Sequence, residues 1–333
     1  SLKAPDSSDF RVSLEIRLAS LLERIRGSKG CTYVAIGAMT NLAYFLTQTD
    51  KFNQIVSMSM ALPRPNKSVN TNVRLDPQAE EFVMKWVKEL KLASSNNLKY
   101  IELTVDFDRV WENPVASYLG NDYLVRILKD YKIGVIACTA DFIMQKPPWK
   151  EKKENLIYMK HMIERILIGL SKVSCEIIVI PLVDGSSING KTEEKKVIEF
   201  FLNLKPLLKK YKIKVAFESD YEPLKLKNFI SKFPEEYFGI NYDVGNSASL
   251  GFNIKDEFDA YFDRILHIHI KDRLYKGFTV PLQTGDVDFK LFFQKLKEFN
   301  YKLNFSMQTA RAKKGKDLTT MLEYIDYINS QMQ

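Results

Sequence analysis

Two of the three histidines in the chain lie two residues apart in the segment RILHIHIKDR, residues 264–273. Because neighbouring side chains of an extended strand point to opposite faces, His267, His269 and Lys271 share one face. The leucine and the two isoleucines that alternate with them share the other face. The segment therefore predicts a strand with one polar and one apolar face, and with a site at its carboxyl end.

Three further polar residues stand at the ends of predicted strands and complete a set of possible metal ligands with His269. They are Glu218 in KVAFESD, Asp243 in FGINYDVG and Gln308 in LNFSMQT. Two carboxylates, an imidazole and an amide oxygen form a mixed nitrogen and oxygen set that suits Mn²⁺, Mg²⁺, Co²⁺ or Zn²⁺. The alternative for His269 is an interior histidine with satisfied hydrogen bonds. The same alternative applies to His267, which lies one pleat deeper.

The elements that must position these residues alternate along the chain. Seven short apolar segments predict strands, and the amphipathic segments between them predict helices. The predicted strands are 98–103, 133–141, 175–184, 214–220, 238–245, 265–272 and 303–309. Strands interleaved with helices pair in parallel, and an eighth strand over 54–62 would close a (β/α)₈ TIM barrel. An open doubly wound sheet is the alternative architecture.

The carboxyl ends of the strands of such a barrel meet around one mouth, where active sites lie. Polar residues also end the first three predicted strands, at Glu102, Asp141 and Asp184. Each of them could instead mark an ordinary exit of the chain to solvent. The architecture predicts that the polar strand ends converge on a single site.

Composition argues against several classes of protein. The chain has 333 residues, of which 45% are hydrophobic, and a net charge of +8. No apolar run reaches the roughly 18 residues that a membrane helix needs, and no secretory signal pattern opens the sequence. Three widely spaced cysteines argue against a zinc finger or disulfide framework and favour a cytoplasmic protein. Lysines scattered over predicted helix faces indicate a solvated surface, and we expect no nucleic-acid partner.

Four motifs resemble a known family in their order and spacing. VAFESD, NYDVGNSASLG, HIHIKDR and PLQTGDVDF resemble the xylose isomerase-like TIM barrels of the sugar phosphate isomerase/epimerase family, over residues 87–333. In that family a Glu, an Asp, a His and a Glu of the final strand bind a divalent metal. The resemblance implies that Glu218, Asp243 and His269 are the first three of these ligands. The fourth position holds Gln308.

This departure from the family pattern affects the reaction that the resemblance implies. An epimerase of this type uses two carboxylates as bases, and an amide cannot accept a proton at neutral pH. Glu218 would then be the only matched base, acting also as a ligand. One base suffices for aldose–ketose isomerisation through a metal-stabilised enediolate. The residue pattern thus favours an isomerase over an epimerase, acting on a sugar or sugar phosphate.

The remaining candidate residues surround the predicted metal site. Lys271 and Arg311, in QTAR after the last strand, are the cations expected to neutralise a substrate phosphate or carboxylate. Asn246 stands where many relatives carry a second histidine. Glu102 and His267 complete the candidate substrate contacts.

A catalytically inactive, chimeric or recombined barrel, or a sugar-binding protein, is the alternative function. The related endonucleases that cut DNA at abasic sites need a three-zinc cluster with many histidines, and this chain has three. The sequence does not specify the sugar, the metal or whether the chain forms a homo-oligomer.

The N-terminal residues resemble a different family. Residues 28–84 resemble the middle of an inosine–uridine nucleoside hydrolase, with Met39 and Thr40 in its turn, Asn72 at a substrate position and the pair Asp76-Pro77. The aspartate-rich calcium motif of that family is absent from the sequence. We therefore expect a βαβ segment over 1–86, attached or fused to the barrel over 87–333, that serves as scaffold and supplies the first barrel strand.

Overall fold

Strands and helices alternate along the residues that the computed structural model describes, which are 87–108, 110–117 and 120–332. The strands are β1 (Tyr100–Thr104), β2 (Gly134–Thr139), β3 (Ile177–Leu182), β4 (Lys214–Ser219), β5 (Phe238–Asp243), β6 (Ile265–Ile270), β7 (Asp272–Arg273), β8 (Thr279–Val280) and β9 (Phe305–Met307). All seven predicted strands are present within the predicted ranges, apart from one further residue at the end of β1. The short hairpin of β7 and β8 was not predicted.

Helices follow most of the strands, as the amphipathic segments predict. They are α1 (87–95), α2 (Gly120–Tyr131), α3 (Asp141–Gln145), α4 (Lys153–Lys172), α5 (Gly190–Leu202), α6 (Lys205–Tyr211), α7 (Pro223–Ile230), α8 (Val244–Leu250), α9 (Ile254–Tyr261), α10 (Phe289–Glu298) and α11 (Asp317–Met332). The apolar pattern over 195–211 is divided between α5 and α6. Pro206 lies in the first turn of α6, where its missing N–H removes no helical hydrogen bond.

The seven long strands form one parallel sheet in the order β1-β2-β3-β4-β5-β6-β9. In a flat sheet β1 and β6 would lie about 24 Å apart, because neighbouring strands are separated by 4.7–4.9 Å. Yet a carboxylate oxygen of Glu102 in β1 lies 3.0 Å from Nε2 of His269 in β6. The sheet therefore rolls into a barrel, which excludes the open doubly wound alternative and confirms the TIM barrel.

The outer face of the sheet packs against the helices and forms the main core. Phe217 of β4 lies near the middle of an aromatic cluster, with its ring centroid 4.9 Å from Phe201 of α5 and 5.5 Å from Phe229 of α7. Its side chain is fully buried. Because side chains alternate along a strand, this packing leaves the side chains on either side of Phe217 inside the barrel. One of them is Glu218.

The interior floor of the barrel is apolar and is made of small side chains. Ala137, Val179 and Ala216 pack together there, and Leu266 packs against them. We expected Leu266 to share the outer face with Ile268 and Ile270, and this was wrong. In the pairing of β5 with β6, Ile240 lies opposite Ile265, and the next residue, Asn241, lies opposite His267. Leu266 is therefore the extra residue of a β-bulge, and its side chain faces inward.

Residues 1–86 lie outside the described residues. The predicted eighth strand over 54–62, the βαβ segment and the nucleoside hydrolase-like residues fall in this range and stay predictions. In the described part of the chain, no helix combines the length and apolar character that a bilayer crossing requires.

Candidate active site at the barrel mouth

Three of the four predicted metal ligands converge at the carboxyl ends of adjacent strands. The backbone pairing sets Asp243 of β5 directly opposite His269 of β6, and Glu218 ends the neighbouring β4. Nδ1 of His269 lies 3.2 Å from a carboxylate oxygen of Glu218 and 3.9 Å from Oδ2 of Asp243. One ligand atom of each residue lies within 4.8 Å of the other two. All three side chains are buried.

The orientation of the His269 ring is set by Glu102. Nε2 of His269 faces both carboxylate oxygens of Glu102, at 3.0 and 3.1 Å. Glu102 thereby fixes the ring with its other nitrogen, Nδ1, on the side of Glu218 and Asp243. Thr139 Oγ1 donates to Glu102 at 2.5 Å, which holds the carboxylate in place from the neighbouring strand β2.

His267 lies deeper in the barrel and belongs to the same hydrogen-bonded group. Its Nε2 lies 3.0 Å from Oε2 of Glu102 and 3.0 Å from Oγ of Ser306 in β9. The side chain is 2% exposed. Glu102, His267 and His269 also have metal-compatible spacing, with the carboxylate of Glu102 between the two rings.

Two asparagines hold the carboxylate of Glu218. Asn241 of β5 donates to Oε2 of Glu218 at 2.8 Å, and Asn246 of α8 donates to Oε1 at 2.6 Å. Helix α8 begins directly after Asp243, whose Oδ1 accepts the backbone N–H of Asn246 at 2.9 Å. This capping bond places Asn246 over the mouth because the helix starts at the site itself.

A lysine ammonium lies against the predicted metal ligands. Nζ of Lys271 is 2.7 Å from Oδ2 of Asp243, and its side chain is 14% exposed. Burial lowers the pKa of Lys271, but the carboxylates of Asp243 and Glu218 outweigh it, so the pKa lies above its ordinary value. The ammonium therefore stays charged within the site.

Electrostatic interactions among the buried groups shift the pKa values of Glu218 and His269. Burial lowers the pKa of His269, but the carboxylates of Glu102 and Glu218 outweigh it and raise the pKa to about 10. Burial raises the pKa of Glu218, but hydrogen bonding to His269 and the charges of His269 and Lys271 bring it below its ordinary value. Glu218 is thus ionised at neutral pH, as a metal ligand or a base must be.

The donor set fits a divalent cation. The buried Oδ2 of Asp243 already faces a cation, the Lys271 ammonium, and Oδ1 of Asn241 is buried without a hydrogen bond. Buried polar atoms normally have hydrogen-bond partners, so the exception at Asn241 calls for an explanation. Two carboxylates and an imidazole nitrogen at this spacing match the ligands that Mn²⁺, Mg²⁺ and Zn²⁺ accept in proteins.

Two predicted site residues make no contact with the three converging ligands. Ser306 faces into the barrel, and Gln308 follows it by two residues, so Gln308 shares the inward face at the mouth. Its backbone N–H donates to the carbonyl of Ile270 at 3.0 Å, and its half-buried side chain has no hydrogen bond to a described residue. Arg311 is exposed.

The polar ends of two other strands differ in their position. Asp184 lies in a 3₁₀ turn after β3 and is exposed, so it does not join the site. Asp141 begins α3 and is half-buried. Burial, with the charges of Asp106 and Glu218, raises the pKa of Asp141 to about 6.

Sequence reasoning missed four polar residues of the site, namely Thr139, Asn241, Ser306 and Arg273. Asn241 alternates with Asp243 along β5, so the strand period that identified His267 from His269 could have identified it too. Arg273 lies in the hairpin of β7 and β8, and its Nη1 donates to Oδ1 of Asn246 at 2.7 Å. No periodic signal predicts that contact, because it depends on how the hairpin folds back.

Comparison with known proteins agrees with the barrel fold. A family model described as xylose isomerase-like TIM barrel matches residues 90–329. Over 104 residues the chain is 31% identical to the protein named "Putative L-ribulose-5-phosphate 3-epimerase SgbU" of Haemophilus influenzae. That alignment covers 29% of this chain and 36% of the relative, so only about a third of the relative's length is matched.

Solved structures share the fold at low sequence identity. A xylose isomerase domain protein from Planctomyces limnophilus has a TM-score of 0.60 and 15% identity, over 73% of this chain and 91% of that one. The IOLI protein with a bound zinc atom has a TM-score of 0.59 and 17% identity, over 75% of this chain and 94% of that one. At these identities the similarity establishes the barrel fold.

Proposed function

The chain belongs to the xylose isomerase-like TIM barrel family, and from this premise we propose that it is a divalent-metal-dependent isomerase or epimerase of a sugar phosphate. The observation that carries the proposal is the convergence of Glu218, Asp243 and His269 at the barrel mouth. The partial identity to a relative named as an L-ribulose-5-phosphate 3-epimerase supports a ketopentose phosphate as the first substrate to test.

The metal would be held by Oδ2 of Asp243, Nδ1 of His269 and a carboxylate oxygen of Glu218. When bound, it would polarise the carbonyl and the adjacent hydroxyl of the substrate. In this arrangement Glu102 acts through His269, because its carboxylate fixes the ring and keeps Nδ1 directed at the other ligands. We therefore assign Glu102 a positioning role in place of the substrate contact expected from the sequence.

Glu218 is the residue that would move the proton. It is ionised, and Asn241 and Asn246 fix its two oxygens through hydrogen bonds at 2.8 and 2.6 Å. A fixed carboxylate beside the substrate carbon can take a proton from one carbon and return it to the next.

Gln308 determines which reaction the site favours. It shares the inward face of the last strand with Ser306, at the position where the family carries a second carboxylate. An amide can offer its oxygen to a metal or to a substrate hydroxyl, but it cannot accept a proton at neutral pH. A site with one carboxylate base favours transfer between neighbouring carbons on one face, which is aldose–ketose isomerisation.

The experiment is incubation of the Mn²⁺-loaded protein with L-ribulose 5-phosphate in D₂O, followed by NMR of the product. Isomerisation incorporates deuterium at C1 or C2, whereas 3-epimerisation incorporates it at C3. We expect incorporation that is abolished in Glu218→Gln and retained in Glu222→Gln, since Glu222 is an exposed carboxylate four residues away.

Calorimetric titration with Mn²⁺ tests the metal site separately from turnover. We expect about one equivalent to bind to the wild-type protein and binding to be lost in His269→Ala. Protein that binds no Mn²⁺ and exchanges no deuterium would instead support the catalytically inactive barrel.

A further inference from the structure

Arg273 lies beside the site but belongs to the hairpin that follows β6. Its Nε and Nη2 donate to the carbonyl oxygen of Gly277 at 3.2 and 2.7 Å, and its Nη1 donates to Oδ1 of Asn246 at 2.7 Å. The nitrogen of the same Asn246 amide donates to Glu218 at 2.6 Å. A single amide therefore separates the guanidinium from the proposed base.

The charge of Arg273 is not balanced by a carboxylate in the part of the chain that the structure describes. Its three hydrogen bonds there all go to neutral oxygens, of Gly277 and Asn246. Lys271 differs, since its ammonium pairs with Asp243 at 2.7 Å. Lys271 also approaches Oδ1 of Asn246, at 3.5 Å, so two cations converge on one amide oxygen.

A half-buried guanidinium without a counter-ion has the properties of an anion site. Burial of an unpaired charge is unfavourable, and a bound anion would remove this penalty. A guanidinium has five N–H donors, and Arg273 uses three of them. The remaining donors retain the planar geometry that matches the oxygens of a phosphate.

The hairpin is fixed against α8, so the guanidinium is held in position before a ligand arrives. The backbone N–H of Lys276 donates to the carbonyl of Ser249 at 2.8 Å. A Cβ added to Gly251, at the end of α8, would lie 2.7 Å from the ring of Tyr275, which reflects close packing of the two elements. Because α8 also carries Asn246, these contacts join the hairpin to the site.

We propose that Arg273, assisted by Lys271, forms the subsite for a phosphate monoester at the far end of the substrate. This inference rests on the proposed function and extends it by assigning the phosphate to a residue. It replaces Arg311, the arginine that the sequence suggested, because Arg311 is exposed and Arg273 is half-buried beside Asn246. The subsite selects phosphorylated sugars over their neutral parents.

The test is binding of inorganic phosphate to the full-length protein in the presence of a chelator, followed as the rise in melting temperature with phosphate concentration. We expect Arg273→Gln to weaken phosphate binding about tenfold or more, since hydrogen bonds to charged groups contribute about 1.5–3 kcal/mol. Arg273→Lys keeps the positive charge but lacks the planar set of guanidinium donors, so it should recover only part of the affinity for phosphate. Arg311→Gln and Lys276→Gln remove the same charge outside the subsite and should bind phosphate like the wild type.

Three results would overturn the subsite. They are a wild-type melting temperature that does not respond to phosphate, equal loss in Arg273→Gln and Lys276→Gln, and loss in Arg311→Gln alone. The Mn²⁺ titration separates this failure from failure of the proposed function, because Arg273→Gln should bind Mn²⁺ normally. If the protein binds no Mn²⁺ but binds phosphate in a way that depends on Arg273, the phosphate subsite is supported and the metal-dependent reaction is refuted.

Discussion

The two faces of strand β5 bury polar side chains in opposite ways. On the inner face, Oδ1 of Asn241 is buried without a hydrogen bond, and Oδ2 of Asp243 faces the Lys271 ammonium at 2.7 Å. On the outer face, Tyr242 donates to the buried carboxylate of Glu257 in α9 at 2.8 Å. Because side chains alternate along β5, a buried polar group with an unfilled hydrogen-bonding capacity lies on one face, and a group whose hydrogen bonds are satisfied within the chain lies on the other.

The outer group is satisfied within the chain. Glu257 is 2% exposed, and it also accepts hydrogen bonds from Ser247 at 2.5 Å and Tyr261 at 2.9 Å. Burial raises the pKa of Glu257 above its ordinary value even though these three hydroxyls lower it. All of its partners are neutral hydroxyl donors, so the group joins β5, α8 and α9 and has no need of a ligand.

The comparison indicates that burial of a carboxylate does not by itself mark a functional site. Asp243 and Glu257 are both nearly inaccessible to solvent. They differ in their partners, since Glu257 accepts from neutral hydroxyls and Oδ2 of Asp243 faces an ammonium. A carboxylate that faces a cation and lies next to other potential ligands identifies the inner face as the place for a metal ion.

The largest effect should follow from a change on the inner face. Asp243→Asn keeps the oxygen that caps α8 but replaces the predicted ligand oxygen, Oδ2, with an uncharged amide nitrogen. We expect Mn²⁺ affinity to fall at least about 100-fold, because changes to residues that only support ligands already cost 10–100-fold. Calorimetric titration measures it, with Asp184→Asn, an exposed strand-end carboxylate, as the control. Equal affinity in the two variants would remove Asp243 from the metal site.

Truncation on the outer face should affect stability without affecting metal binding. Glu257→Ala leaves three buried hydroxyls without their acceptor, and we expect the free energy of unfolding to fall by about 2–4 kcal/mol. Glu257→Gln retains an acceptor and should cost less. Urea denaturation gives the stability and Mn²⁺ titration gives the affinity. A large loss of Mn²⁺ affinity in folded Glu257→Ala would refute the claim that the outer face of β5 contributes to stability and not to metal binding.

An intermediate effect is expected at Glu102, which supports the inner face from β1. Glu102→Gln keeps the size of the side chain but weakens its hold on Nε2 of His269. We expect Mn²⁺ affinity to fall about 10–100-fold with little change in the circular dichroism spectrum. Ser306→Ala removes a partner of His267 alone and serves as the comparison. Wild-type affinity in Glu102→Gln would refute the positioning role.

The smallest effect concerns the pH dependence of stability at Asp141. Its pKa is raised from 3.8 to about 6, so its stabilising contribution is present below the unfolded pKa and is lost as pH rises through about 6. Asp141→Asn should therefore match the wild type near about pH 4 and be more stable near about pH 8, by up to about 1 kcal/mol after screening. Urea denaturation of metal-free protein at both pH values measures this. If the variant were more stable than the wild type only at the lower pH, the predicted direction of the pH dependence would be wrong.

The elements of the barrel could be predicted because their signals are local. β5 and β6 are short apolar strands, and each lies within its predicted range. The split between α5 and α6 and the inward bulge at Leu266 were not predicted. Both depend on how neighbouring elements pack, which hydrophobic periodicity does not report.

The residues of the candidate site were predictable to a different degree. Glu218, Asp243 and His269 could be named because each ends a strand, and parallel strands of a barrel bring their ends together. The roles of their neighbours could not be named in this way. No local signal predicts that Lys271 pairs with Asp243 or that Glu102 lies on His269.

The sequence by itself determined the succession of strands and helices, their parallel pairing and the three strand-end side chains expected to converge, because strand period and βαβ order restrict the topology. Only the tertiary structure decided that the sheet closes into a barrel and which of the polar groups remain unsatisfied. The hydrogen bonds from His269 to Glu102 and from Arg273 to Asn246 join residues of separate elements. Hydrogen bonding depends on distances of a few tenths of an ångström, and these are set when the elements pack.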